Sequence, residues 1–429
     1  MRLFFGSDFI GNQKIFGITV TATNCTYSGD TAIAIGGTAE VTFVASAGYK
    51  LPASVTVTGA TSVWDRTSGV LALSNSTGYV TIEISAEANI YGVSGLYDSN
   101  PILTRTDEAI GMSYAINSST GLVSSDFDTA FPWNEATVET VSGNKFLHFP
   151  EMWFRVGKDS SNRITDIAVS KQQHGSGSWY KVDSFYYGCY GASVDSNYKM
   201  CSVSGVARRN TTTIANMRTY AANNGEGYHQ LDLYHKVVLM FLWWIEFASK
   251  NSQTVLQGKI SGDVVNTGGT DDLTTPSGYN VTTNQMRWHY IEDFLGNLFE
   301  YCEGVTATGT SDSNYRVTAD PSKFGSTSTS LNSLSYNYPS NASSENRCIY
   351  SFGWDDDNPF LCQPMEQGGT NYTVYCCDAN AAANNVVAYI GTSTVGGASG
   401  FFGVSYFNRQ TAAAADVRVG ARLLYKPAV

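Results

Sequence analysis

Residues 237–245, inside YHQLDLYHKVVLMFLWWIEFASK (228–250), are apolar on nearly every side of a helical projection. A helix with no polar stripe has no face to give to water, so this segment is sunk in a core rather than lying on one. Glu246 closes the run at about half of the roughly 20 residues a bilayer crossing takes, which makes it a buried helix and not a membrane anchor. The surrounding chain has 429 residues, more than one hydrophobic core usually supports, so two or three domains are expected. Charged residues are 15% of it and aromatics 13%, so the surface must be built largely from Ser, Thr, Asn and Tyr, and a core of ample size argues against disorder. A formal charge of −11 argues against a nucleic-acid partner, because neutralising phosphates needs a basic face.

The start, MRLFFGSDFIGNQKIF, lacks the long apolar stretch and small-residue cleavage site of a secretory signal, so residues 1–14 are read as an N-terminal segment of the mature protein. Eight cysteines (Cys25, Cys189, Cys201, Cys302, Cys348, Cys362, Cys376 and Cys377) show no C-x-x-C spacing, so neither a zinc ribbon nor a dense disulfide framework is expected. Free thiols and folding in a cytoplasm follow from that reading.

Residues 15–90 read as a small all-β domain. Ala39, Val41, Phe43 and Ala45 alternate with polar neighbours, as do Val55 and Val57, and Val80, Ile82 and Ile84. Gly36, Gly37, Gly48, Pro52, Gly59, Gly69 and Gly78 fall between these runs at turn-like intervals. The stretches AGYKLPASVTVTGAT and GVLALSNSTGYVTIEISA resemble bacterial immunoglobulin-like spacer modules, which implies a β-sandwich that holds something else at a distance. Beyond it, 91–429 is loop-rich and aromatic. A second helix is expected over about 284–303: Ile291, Phe294, Leu295, Leu298, Phe299 and Cys302 fall on one helical stripe, Thr282 and Gln285 fit a capping box, and Gly304 fits a stop.

The segment MRWHYIEDFLGNLFEYCEGV resembles the W-x-x-x-E-x-x-x-G-N-x-x-E-x-x-x-G block of formylglycine-generating-enzyme-type C-type lectin folds, with Trp288, Glu292, Gly296, Asn297, Glu300 and Gly304 at matching places. The ending GGASGFFGVSYFNRQTAAAADVRVGARLLY resembles the closing strands of that fold, with Gly396, Gly397, Gly420, Arg422 and Leu423 at the matching positions. WWIEFASKNSQ, PILTRTDEAIG and DFDTAFPW are similar to segments of the variable proteins of diversity-generating retroelements, especially those of gut phage tails. The resemblance implies an α+β C-type lectin domain over 91–429, following the sandwich, with a variable region at about 380–420. It implies scaffold roles for the block: Gly296 for a close approach, Asn297 for backbone bonds, Glu292 or Glu300 as anchors of loop N–H groups or of Arg422.

Two branches of that family divide on function. The enzyme branch oxidises a client cysteine with copper held by two late cysteines; here no cysteine follows Cys377, so a copper oxidase is the disfavoured alternative and no catalytic residue is assigned. In the variable-protein branch the closing block carries an altered binding surface. The residues in that place are Ser399, Phe402, Val404, Ser405, Tyr406, Asn408, Arg409, Asp416 and Arg418, with Tyr389 and Ser393 just upstream. Aromatic and Arg side chains give rigid anchors, and Ser and Asn adapt their hydrogen bonds.

Other chemistry is sparser. Asp355, Asp357 and Asn358, around Asp356, offer oxygen ligands for calcium, set against a solvated acidic turn; no cofactor is otherwise expected. The histidines His148, His174, His229, His235 and His289 include no i, i+4 pair and no H-E-x-x-H, so a zinc protease site is not supported, and His229 and His235 are read as structural. The expectation is a non-enzymatic phage tail receptor-binding protein, in the virion after assembly in the host cytoplasm. Its partners would be a bacterial surface protein or glycan and other tail proteins, in a homotrimer, with no nucleic acid and no membrane insertion. A bacterial cell-surface adhesin on the same scaffold is the alternative.

Overall fold

Strict alternation builds the N-terminal strands. In Thr38–Ala45 the side chains of Ala39, Val41 and Phe43 are buried while Glu40 faces solvent, and Val80, Ile82 and Ile84 repeat the pattern in Val80–Ser85. Val80–Ser85 runs parallel to Gln13–Thr23 and antiparallel to Thr56–Thr58; Cys25–Gly29, Thr38–Ala45, Val70–Ser74 and Thr61–Asp65 form a second sheet in that spatial order. One core joins the two sheets: Phe16, Ile33, Val80, Ile82 and Ile84 from the first meet Val41, Phe43, Leu71 and Leu73 from the second. Each such side chain contributes roughly 1.5–3 kcal/mol relative to exposure.

The structure, a computed structural model, describes residues 8–10, 13–256, 258–308, 314–325, 332–333, 349–362, 364–367, 386–390 and 415–427. The chain divides into two compact units, Met1–Ile90 and Tyr91–Val429. The second is β-rich. One sheet orders Thr104–Asp107, Ile90–Ser94, Ile164–Ser170, Met152–Lys158 and Trp179–Val182, and another orders Thr137–Val141, Asn144–Phe149, Phe185–Gly191, Arg422–Tyr425 and Tyr228–Gln230. A third is built on the long strand Phe299–Thr308, which pairs with Asn314–Val317, Val386–Ile390 and Val419–Gly420.

The apolar run forms the helix Leu233–Phe247, in which every residue but Tyr234 is buried. Asp232 caps its first turn by accepting from the His235 N–H, and Ala248 ends it in the left-handed conformation (φ 48°). Phe154, Val169, Trp288, Phe294, Trp354 and Phe360 belong to the core cluster that contains it. A second helix, Ile214–Ala222 with Thr213 as N-cap, had no counterpart among the sequence expectations.

The helix expected over 284–303 does not form. Met286–Trp288 and Ile291–Glu292 are short antiparallel strands, and Phe299 begins the long strand. His289, Tyr290, Asp293, Gly296 and Asn297 all have positive φ, which a right-handed helix excludes. From 285 to 305 every residue except Tyr290 is buried, polar ones included, so the spacing of the apolar residues never marked one wet and one dry face. Gln285 caps nothing; its amide bonds Asn266 O and Asp293 Oδ2. Gly304 is not a stop either: it lies within the long strand at φ 77°, where a Cβ would sit 2.5 Å from Thr318 O.

Candidate functional site

Ile390 and Gly420 meet at one residue of the long strand. Ile390 pairs with Glu300 on one side of the long strand, and Gly420 pairs with the same Glu300 on the other. Two strand spacings place these ends roughly 10 Å apart. Beneath that point lies a fully buried charge network. Arg422, in the closing strand Arg422–Tyr425, donates to Glu300 Oε1 (Nε, 2.9 Å), Gly188 O (2.9 Å), Glu292 O (2.9 Å) and Asp293 O (3.1 Å). The sequence reading of Arg422 as the partner of an internal acid holds: its Nη2 is 2.7 Å from Glu300 Oε1, and the guanidinium has no solvent exposure. Burial lowers the guanidinium's proton affinity, but the Glu300 carboxylate together with Tyr187 and Asp293 more than offsets this and raises its pKa above the usual Arg range. Arg208 Nη2 reaches the same Glu300 oxygen at 3.0 Å, and Arg208 Nη1 lies 3.7 Å from Asp293 Oδ2.

The rest of the block also acts as scaffold. Glu292 accepts from the N–H groups of Gly268 (2.8 Å) and Thr270 (2.9 Å) and from the Thr270 hydroxyl (2.8 Å). Burial, reinforced by the neighbouring Asp293 charge, pushes its pKa up to about 7 against these bonds. Asn297 holds Val265 by both backbone groups at 3.0 Å and donates to Asp293 Oδ2 at 2.8 Å. Gly296 (φ 98°) admits a close neighbour, which is the loop at Lys259 rather than a strand; a Cβ there would lie 2.5 Å from Lys259 N.

Of the residues expected to contact ligand, Ser393, Ser399, Phe402, Val404, Ser405, Tyr406, Asn408 and Arg409 lie outside the described residues. Tyr389 lies in Val386–Ile390 with its Cα opposite Tyr301. Asp416 is buried, and its carboxylate accepts from Arg418 N (2.8 Å), Nε (2.9 Å) and Nη2 (2.6 Å), while its carbonyl accepts from Thr211 N. This pair fastens the return of the segment. Val417 between them is 55% exposed, and sequence reasoning passed over it because nothing in its type signals contact.

The acidic turn is tied into the protein. Asp356 accepts from Lys158 (2.6 Å), Tyr180 (2.5 Å) and the Trp354 indole (3.1 Å); Asp355 Oδ1 accepts from Asp357 N (3.0 Å); Asn358 N donates to Asp355 O. Asp355 and Asn358 are buried and Asp357 is exposed.

Sequence spacing also missed a group at i, i+3 and i+6. His229, Asp232 and His235 each offer a ligand atom within 4.8 Å of the others, the spacing a divalent ion takes, and they are the one His/Cys/Asp/Glu group of this kind among the described residues. The same atoms are joined by hydrogen bonds: His229 Nε2 to Asp232 Oδ2 at 3.0 Å and His235 Nδ1 to Asp232 Oδ2 at 2.8 Å. Burial disfavours the Asp232 charge, but His235 and His229 outweigh it and hold the carboxyl far below the usual range. Cys25, Cys189, Cys201, Cys302 and Cys362 are free thiols. No protein-family model matches this chain, and no curated protein matches it in sequence.

Proposed function

We propose that the chain is an attachment protein: a receptor-binding component of a phage tail in which residues of about 380–420 form the recognition surface. On this reading 91–429 is a C-type lectin-class domain of the formylglycine-generating-enzyme type, 15–90 is an immunoglobulin-like spacer, and neither catalysis nor a cofactor is involved. The observation that carries it is the double pairing at Glu300. Ile390 and Gly420 flank one residue of the long strand, and Arg422 clamps that residue, so both ends of the intervening segment are tied to one fixed point of the frame. Such a division between fixed frame and replaceable contacts is how paratopes reach new ligands. Several copies on one particle, a trimer in the simplest arrangement, multiply weak contacts by avidity.

The test is binding of the full chain to bacterial cells. The combined variant Phe402→Ala, Tyr406→Ala, Arg409→Ala should lose cell binding while the unfolding temperature is kept. Retained binding, or loss of the fold, overturns the proposal. The coding DNA provides a second check: a near-copy of the codons for this segment, differing mainly at adenines and adjacent to a reverse-transcriptase gene.

A further inference from the structure

His229, Asp232 and His235 meet where three elements of the second unit join. His229 lies in the strand Tyr228–Gln230, Asp232 caps the central helix, and His235 stands in the first turn of that helix. Between them, Leu231 O accepts from the Glu303 N–H of the long strand (2.9 Å), and Leu231 N donates to Arg422 O of the closing strand (2.9 Å). The backbone that carries the three side chains is thus fastened to both strands.

The ring nitrogens of His229 decide what can lie among these side chains. Nδ1 is 3.3 Å from Gly227 O, and a carbonyl oxygen only accepts, so Nδ1 carries the proton. A neutral imidazole has one N–H, which leaves Nε2 with a lone pair aimed at Asp232 Oδ2, 3.0 Å away. Two lone pairs at that distance need a cation between them: a second proton, on a ring that is only 11% exposed, or a metal ion. His235 Nδ1 comes to the same oxygen at 2.8 Å. Three donor atoms therefore converge, all within 4.8 Å of one another, whereas a proton bridges only two. Asp232 can serve both neighbours, because Oδ1 accepts from the His235 backbone N–H and caps the helix while Oδ2 faces both rings.

We propose that His229 Nε2, Asp232 Oδ2 and His235 Nδ1 bind one structural zinc ion, with water in the fourth position and independently of residues 380–420. Two imidazoles and one carboxylate suit zinc, whereas calcium takes six to eight oxygen ligands and magnesium an octahedron of them. Ligand atoms around a tetrahedral zinc stand roughly 3.3 Å apart, so the side chains need to spread by only a few tenths of an ångström. Gly227 O supplies the bond to the second ring nitrogen that holds a ligating imidazole in its tautomer and orientation. The side chains of His229 and His235 are 11% and 10% exposed, which gives an ion a way in, and the rings of Phe185 and Phe324 lie 4.6 Å from His235 and 5.9 Å from His229. The ion staples the start of the central helix to Tyr228–Gln230, the strand that pairs with Arg422–Tyr425.

The experiment takes the untagged full chain, strips it with a chelator and titrates it with zinc chloride, read by calorimetry and by nitrogen-15 shifts of the histidine rings. One ion should bind with a Kd on the order of 1 μM or tighter, moving His229 Nε2 and His235 Nδ1 and raising the unfolding temperature. His229→Asn, whose amide keeps a donor for Gly227 O, and His235→Gln should each weaken zinc about a hundredfold or more and abolish that rise. Should either variant fail to fold, the ring shifts of the unaltered chain decide alone. Absence of zinc uptake, shifts confined to His148, His174 or His289, uptake undiminished in both variants, or displacement of zinc by millimolar calcium overturns the proposal.

Discussion

In Thr38–Ala45 the buried positions are Ala39, Val41 and Phe43, with Glu40 in solvent; between 285 and 305, burial takes in Glu292, Asp293, Asn297, Glu300 and Glu303 along with the apolar residues. Both regions bury a set of side chains, but their stability has different sources. The first loses stability in proportion to the volume removed. The second loses it when a charge is left without its partner, because taking an ion out of water is recovered only by a complete set of bonds. Removing apolar volume should therefore be the costly change in the first region, and removing one partner of a buried ion pair the costly change in the second.

The largest effect should come from Arg422→Ala, which leaves Glu300 buried beside Arg208 alone; a loss of about 4 kcal/mol is expected. Hydrogen exchange on the full chain resolves the local cost, with amides of Phe299–Thr308 losing protection and those of Thr38–Ala45 keeping it. A loss under about 1 kcal/mol would dissolve the contrast, since that is the yield of a surface pair. Next, Leu71→Ala should cost about 3 kcal/mol by opening a cavity, read in Val70–Ser74 and its neighbour Thr38–Ala45.

Asp232→Ala should cost about 2 kcal/mol by removing a helix cap that also holds two imidazoles, visible as faster exchange at His235 and Lys236. Because the folded Asp232 carboxyl is held far below its unfolded value, that contribution is present above the ordinary aspartate pKa and disappears as pH falls. Glu292 has the opposite sign. Its folded pKa of about 7 lies above the unfolded one, so its contribution is complete in mild acid and lost as pH rises through about 7. Glu292→Gln should flatten that slope in urea midpoints measured between about pH 5 and pH 8, the smallest effect of the series.

The same contrast explains what could be read in advance. Val80, Ile82 and Ile84 announce their strand because Thr81 and Glu83 between them are wet, and the period is a record of two environments. Leu233–Phe247 is legible for another reason: nine successive apolar residues leave no alternative to a core helix of that length. In 285–305 both polar and apolar side chains are buried, so the helical spacing of the apolar ones recorded no wet face, and positive φ at His289, Tyr290, Asp293 and Asn297 excludes the helix. Arg422 with its acid was legible because Glu292 and Glu300 stood out in the sequence as candidate anchors for it. The bonds of Glu246 to Trp288 and His289 were not, because the acid lies more than forty residues from its partners and nothing local to either signals the meeting.

Ile390 and Gly420, on either side of Glu300, give the segment between them two fixed posts on one residue of the sheet. Closing a longer connection between fixed posts adds only about 0.6 kcal/mol for each doubling, so the position behaves as a socket. Foreign peptides spliced between Ile390 and Asp416 should be displayed without loss of the fold, which would make this chain a natural starting scaffold for engineered binders.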